Sequence, residues 1–288
     1  MNNKKKKNML PALAMAGPVS VWMILFVTIP MLYIIYISFM SRGVFGDVVY
    51  KFSTESYKTI LNPTYFKVIL KSLKAAGITT ILCLLLGYPL AYIIAHKPKD
   101  TAAKLITLIM IPFWTNSLIR LYGWIIIFRA NGTLDKALMG LGLTDSPLKL
   151  LYTYPAVVVG MVYALLQFMI LAVYSSAEKM DWSLVEAARD LGASPLRAFC
   201  TVTLKLTLPG LLSGIILTFI PSMGLFFIAD ILGGNKVVLV GSLIQDQLMK
   251  AHNQPFAAAL SLVLMVLTTL MISLYKRITH SSELEGLL

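Results

Sequence analysis

Six stretches of this chain are apolar enough and long enough to cross a lipid bilayer, and no other feature constrains its fold as much. A transmembrane helix needs about 20 mostly apolar residues. Such stretches fall within Leu10–Met40 and at about Ala75–Ala95, Ala102–Phe128, Leu150–Ala177, Leu206–Leu232 and Phe256–Tyr275. In hydrocarbon every backbone N–H and C=O must be satisfied inside the segment, which selects helices over open strands. The expected fold is all-α, a polytopic membrane protein with six transmembrane helices, and a single transmembrane domain spanning residues 1–288. Composition agrees: 58% of the chain is hydrophobic and 13% charged, where a soluble domain carries about 25% charge. The net charge of +12 is then read as basic flanks of membrane spans. Lipid is the expected contact surface, and no nucleic acid is expected as a partner.

Lys4–Lys7 precede an uncharged run from Asn8 to Ser41. That run is too long for a signal-peptide core of about 7–15 residues, so it reads as a retained first span with its basic end in the cytoplasm. Six crossings put both termini on one side. Lys and Arg totals on the two sides barely differ, so the short segments decide. Lys4–Lys7, the His96–Lys104 loop and Lys276-Arg277 all fall inside, and the same model places Glu178–Lys205 in the cytoplasm. The outer segment Arg42–Lys71 holds turn signals at Ser53-Thr54-Glu55 and Asn62-Pro63, with Tyr57, Tyr65 and Phe66 suited to the membrane interface. A second outer segment, Arg129–Lys149, contains Asn131-Gly132 and Ser146-Pro147. In the third, Gly233–Pro255, the spacing of Leu243, Ile244, Leu248 and Met249 predicts a short helix tucked against the bundle.

Between the fourth and fifth spans lies the longest charged and helix-capped segment, Glu178–Leu212. Ser183 with Glu186 three residues on reads as a capping box, which starts a helix near Leu184. Leu184, Ala187, Ala188 and Leu191 then share one small apolar face. Gly192 stands where a left-handed stop belongs. Ser194-Pro195 starts a second short helix, with Pro195 at its first position. The low profile at Ala187 and Ala188 lets another protein surface approach closely. An ordinary amphipathic linker lying on the membrane is the plainer reading.

Glu186-Ala187-Ala188, three residues, Gly192, and then Leu208-Pro209 resemble the EAA loop of ABC-importer permeases. The resemblance implies coupling helices at about 179–205 that dock on an ATP-hydrolysing subunit through Glu186, Ala187, Ala188, Gly192, Leu184 and Leu191. One departure is Lys205, which stands where the family often has a proline, with Pro209 four residues later.

Little else in the chain carries chemistry. None of its 18 glycines is followed by lysine, so a Walker A loop is absent. Cys83 and Cys200 form no disulfide framework, and His96, His252 and His280 are scattered. No catalytic residue, metal site or cofactor is expected. Ionisable residues within spans are costly and mark function or a paired structural role; Arg120 and Asp230 stand out, with Arg120 read as structural or as an interface anchor. Asp230 follows Phe226 and Phe227 near the outer end of span five. A carboxylate beside aromatic faces suits an amine cation. It could equally pair with Arg120, or cap a helix break before Gly233-Gly234. In span three Pro112 should disturb the helix and free a carbonyl. Trp114 and Asn116 then lie about 18–21 Å along the span at 1.5 Å per residue, as pathway lining or as packing around a kink. Pro221 and Gly224 give span five a similar weak point.

PFWTNSLIR at Pro112–Arg120, EAARDLGAS at Glu186–Ser194 and MGLFFIADILGG at Met223–Gly234 together resemble the PotB-type permeases of spermidine/putrescine ABC importers. This implies a type I ABC-importer (MetI-like) fold in a bacterial cytoplasmic (inner) membrane. It also implies a second, PotC-like permease subunit, a PotA-like ATPase dimer that holds ATP and Mg, and an extracytoplasmic PotD-like binding protein. Asp230, Phe226, Phe227, Trp114 and Asn116 are the expected substrate pathway. Related permeases carry sulfate, iron(III), thiamine or phosphonate instead. A secondary transporter driven by an ion gradient would need more buried ionisable residues, and a membrane-embedded enzyme would need a metal cluster or a nucleophile–base pair.

Overall fold

A computed structural model describes residues 17–43 and 46–285 of the chain. The tetralysine start and the first part of the N-terminal span lie outside the described residues. Helix α1 (Gly17–Ser38) carries a π-helical turn at Ile24–Thr28. Strands β1 (Met40–Arg42) and β2 (Val48–Phe52), then helix α2 (Glu55–Ile60), follow. The long helix α3 (Pro63–Ala95) leads to α4 (Lys99–Trp114), α5 (Ser117–Phe128) and α6 (Thr133–Gly140). Helices α7 (Tyr154–Ala177) and α8 (Ser183–Asp190) precede α9 (Pro195–Gly224). Helices α10 (Phe226–Gly233), α11 (Val240–Met249) and α12 (Gln254–Glu285) complete the order.

Five of these helices are long and apolar enough to span a membrane, and a sixth span exists if the bent pair of α4 (Lys99–Trp114) and Ser117–Gly140, which joins α5 and α6, is counted as one, with 88° between its halves. The third span is therefore broken, three residues beyond Pro112. Pro112 lies inside α4, and Thr115 turns extended at φ −77° and ψ 152°. The Asn116 side chain then accepts the Leu118 amide at 2.8 Å and starts α5. The fifth span is also interrupted: Leu225, at φ −77° and ψ 63°, separates α9 from α10 just after Pro221 and Gly224. The expected all-α chain gains a small sheet between its first two spans. There β1 pairs antiparallel with β2, Ser41 opposite Val49 and Arg42 opposite Val48, with a bulge after Met40. The second span begins earlier than expected, at Pro63, because proline is favoured in a first helical turn and Asn62 Oδ1 accepts the Thr64 amide at 3.1 Å. The helix expected around Leu243–Met249 is α11.

The described residues pack as two units. One comprises residues 17–65 and Ile244–Leu267. In it Phe39 stacks on Phe52 at 5.8 Å, Ser38 Oγ shares a 2.7 Å hydrogen bond with the Tyr57 hydroxyl, and Arg42 donates to the Ala251 carbonyl at 2.5 Å. Tyr65 meets Phe256 edge-on at 4.8 Å.

The other unit, Phe66–Leu243 with residues 268–285, is built around α7. One side of α7 buries Val157 and Met161 with Ile228 and Leu232 of α10 and Leu121 of α5. Another buries Met169, Ile170 and Val173 with Cys83, Tyr88 and Ala91 of α3. Small residues bring α9 against α7: a Cβ at Gly210 would lie 2.5 Å from the Ala172 carbonyl oxygen. Close approach through small residues is how helices associate where lipid is as apolar as leucine.

Candidate functional site

The charged hairpin is formed by α8, Gly192 and the first turns of α9. Its start differs from the expected capping box. The Ser183 amide donates to Asp181 Oδ1 at 3.0 Å, so Asp181 supplies the accepting oxygen and the helix begins at Ser183. Both residues are good caps, and the aspartate, two positions upstream, reaches the free amide. Hydrogen bonds from the Ser183 side chain and backbone hold the Asp181 carboxyl below the usual carboxylate range.

The end of α8 is as the sequence predicts. Gly192 has φ +87°. Its amide donates to the Arg189 carbonyl at 2.9 Å, and the Ala193 amide to Ala188 at 3.0 Å. This is the paired 5→2 and 6→1 bonding of a Schellman stop, which needs a left-handed residue. Ser194 Oγ then accepts the Arg197 amide at 3.3 Å, with Pro195 in the first turn. The second helix is not short. It passes through a π-helical turn at Phe199–Thr203 into α9, because no glycine or proline interrupts residues 196–208. A π-turn accommodates one extra residue without ending a helix.

The hairpin turns apolar side chains outward: Leu191 is 90% exposed, Leu196 73% and Leu184 48%. Glu186 and Ala187 are exposed beside them, and Ala188 is half-buried. An aromatic cluster fastens the hairpin to the end of α3. The His96 ring lies 3.6 Å from Trp182, and Tyr92 meets Trp182 edge-on at 5.5 Å. Phe199 sits 5.7 Å from Tyr88 and 6.1 Å from Tyr92. The Tyr88 hydroxyl shares a 2.8 Å hydrogen bond with Thr207 Oγ1 of α9. His96, one of three histidines scattered along the sequence, thus belongs to an aromatic cluster. The available signal was the spacing of Tyr88, Tyr92 and His96, which places all three on one helix face.

Deeper in the same unit a cavity of about 320 Å³ opens beside the α4–α5 break, lined by Phe113, Ser117, Arg120, Tyr163, Phe168 and Phe227 among others. A smaller one of about 120 Å³ shares Arg120 and Tyr163 and adds Pro112 and Gln167. The Arg120 guanidinium carbon stands 5.7 Å from the ring centroid of Phe113 and 5.7 Å from that of Tyr163. Phe168 closes on Phe113 edge-on at 5.6 Å. Most of the wall is apolar, as ligand cavities are, with a few polar groups that fix orientation.

Of the five residues expected in a substrate pathway, Phe227 lines this cavity. Phe226 packs edge-on against Phe227 at 6.0 Å. Trp114 is 73% exposed, and Asn116 is exposed and serves as the cap of α5. Asp230 is exposed, and its backbone carbonyl accepts the Gly234 amide. The ion pair found among the described residues joins Lys250 to Asp246 at 2.7 Å; none joins Asp230 to Arg120. Tyr163, Phe168 and Phe113 were not singled out from sequence. No group of three or more His, Cys, Asp or Glu among the described residues could hold a metal ion.

Comparison with known proteins places this architecture. The chain is 44% identical over 256 residues to the spermidine/putrescine transport system permease protein PotB of Escherichia coli (strain K12), covering 89% of this chain and 93% of that protein. It is 43% identical to the protein of the same name from Haemophilus influenzae, covering 89% and 90%. Among solved structures, a bacterial alginate ABC transporter in complex with a pentasaccharide-bound periplasmic protein aligns with TM-score 0.78 at 14% identity, over 96% of both chains. The MetNI methionine ABC transporter in inward-facing conformations aligns with TM-score 0.57 at 17% identity, over 80% of this chain and 99% of that one. The fold is therefore that of the type I (MetI-like) ABC-transporter permeases. The family profile described as "binding-protein-dependent transport system inner membrane component" matches residues 8–281, and the chain belongs to that family.

Proposed function

We propose that this chain is the membrane-spanning permease subunit of an ATP-driven importer for polyamines, spermidine and putrescine, in the bacterial inner membrane. The observation that carries the reading is its likeness, over nearly its whole length, to permeases named for those two amines. The chain acts as one permease domain with both termini in the cytoplasm. It works beside a second, PotC-like permease, a PotA-like ATPase dimer and an extracytoplasmic PotD-like binding protein. ATP and Mg are held by the ATPase, and this chain contributes no catalytic group.

ATP closes the ATPase dimer. The stroke enters through the hairpin, where Leu184, Leu191 and the Glu186-Ala187-Ala188 surface dock and the Gly192 stop holds the two helices at a fixed angle. The aromatic cluster around Trp182 passes it to α3, while the unbroken helix from Pro195 passes it to α9. The outer cavity opens and the binding protein releases its amine. Phe227 lines the route within the chain. Asp230, Phe226, Trp114 and Asn116, exposed on this subunit, line the side that faces the second permease. Asp230 offers a carboxylate and the aromatics offer ring faces, both attractive to an ammonium. Hydrolysis reopens the inner side.

The test is uptake of labelled spermidine and putrescine by the reconstituted complex, with sulfate and thiamine as competitors. Amine uptake that needs ATP and resists both competitors supports the reading. Uptake of sulfate or thiamine in place of amines refutes the cargo and leaves the importer.

A further inference from the structure

Arg120 is a cation in an apolar cavity, and that calls for a physical account. A charge within a membrane span is expensive and is normally paired. Among the described residues no carboxylate pairs with it, and its Nε is buried without a hydrogen-bond partner. What it has is two ring faces, Phe113 and Tyr163, each 5.7 Å from the guanidinium carbon. That is within the roughly 6 Å over which a ring quadrupole attracts a cation, and the attraction is strongest where water is excluded. The two aromatics therefore form a cage with affinity for a positive group and no counter-charge of their own.

Such a cage does not distinguish a guanidinium from an ammonium by hydrogen-bond direction. It suits an ammonium on a flexible methylene chain, and the neighbouring Leu121, Leu217 and Ile228 of the same cavity would receive the methylenes. Two cations cannot share it. At about 4 Å separation unit charges repel by several kcal/mol even at an effective dielectric of 20, so occupancy is exclusive. Arg120 also has somewhere to go. It sits in the first turn of α5, directly after the bend, and already borders the smaller cavity that includes the Gln167 side chain.

We infer that Phe113 and Tyr163 are a binding cage for one ammonium group of the substrate, and that Arg120 occupies this cage as a built-in stand-in which the substrate displaces. The inference rests on the polyamine reading above and adds a specificity residue to it. An occupied cage keeps the empty transporter from holding stray amines and makes release spontaneous, because the arginine competes for the place.

The test uses the whole complex, reconstituted in lipid, with spermidine as the probe. Arg120→Gln removes the competitor. The expected result is a KM for spermidine lowered about tenfold, the equivalent of one desolvated cation–π contact, with a lower maximal rate as release slows. Tyr163→Leu removes one ring and should raise KM about tenfold, while Tyr163→Phe, which keeps the ring, should match wild type. An Arg120→Gln complex that assembles and shows an unchanged or raised KM overturns the inference. If that variant does not assemble, a Tyr163→Leu complex with wild-type KM overturns it alone. A wild-type complex that transports no spermidine removes the cargo reading and the inference with it, which is a different result from an unshifted variant.

Discussion

Gly210 and Gly214 lie one turn apart on α9 and both face α7, yet alanine at the two positions meets different neighbours. At Gly210 the added Cβ would lie 2.5 Å from the Ala172 carbonyl oxygen and 2.7 Å from Ser176 Cβ. Neither atom can move without its backbone, and carbon contacts are comfortable only at about 3.5–4.0 Å. The two helices must separate by roughly 1 Å, and overpacking of this kind costs about 1–3 kcal/mol. At Gly214 the nearest atom is Met169 Sδ at 2.6 Å, with the next neighbours at 3.4 and 3.5 Å. A methionine has three rotatable bonds and yields, so the cost there should stay under about 1 kcal/mol. The helix-propensity gain of glycine to alanine is common to both and cancels in the difference. Gly210→Ala should thus be less stable than Gly214→Ala by about 1–2 kcal/mol, or roughly 2–3 °C in melting temperature for a chain of this size. Thermal unfolding of the purified complex, followed by fluorescence of the chain's four tryptophans, reads this out. Gly210→Ala melting at or above Gly214→Ala would refute the claim that backbone-to-backbone contact sets the α7–α9 spacing.

Two further outcomes concern coupling and cargo. Trp182→Ala removes the ring between His96 and Tyr92, and should leave ATP hydrolysis running while uptake falls at least tenfold, whereas Trp182→Phe should retain most coupling; parallel loss of both activities in the alanine variant would make the cluster merely structural. Asp230→Asn keeps the shape and removes the charge, and should weaken spermidine uptake several-fold with subunit assembly unchanged; wild-type uptake would return Asp230 to a structural role.

The positions of the spans were legible because each is long and apolar, and the bilayer leaves helix as the one solution for a lone segment. The Gly192 stop and the Ser194-Pro195 start were legible for a local reason: the backbone there needs a residue type, and the sequence supplies it. The start of α8 was misplaced by local competition, since Asp181 and Ser183 can both cap and only the geometry selects the aspartate. Arg42–Lys71 read as turns because a five-residue strand such as Val48–Phe52 has too few alternations to stand out. The break in span three falls at Thr115-Asn116, three residues beyond the disturbance expected at Pro112, because asparagine can stop one helix and begin another. The cavity was the least legible part. Tyr163 and Phe168 lie in an apolar run where an aromatic facing a cavity and one facing lipid look alike, and Arg120, Pro221 and Phe227 are the lining residues that stand out in the sequence.

Coupling through this chain requires the hairpin that follows α7 to meet a nucleotide-binding subunit. A photo-cross-linking amino acid at position 191, where Leu191 is the most outward apolar side chain of the hairpin, tests this directly in intact membranes, with the same group at Leu61, 75% exposed between the first two spans, as the control. Capture of the ATPase from position 191 and not from position 61 is the result expected. Capture of lipid alone from position 191, or labelling there by reagents confined to the outside of the cell, would contradict the account.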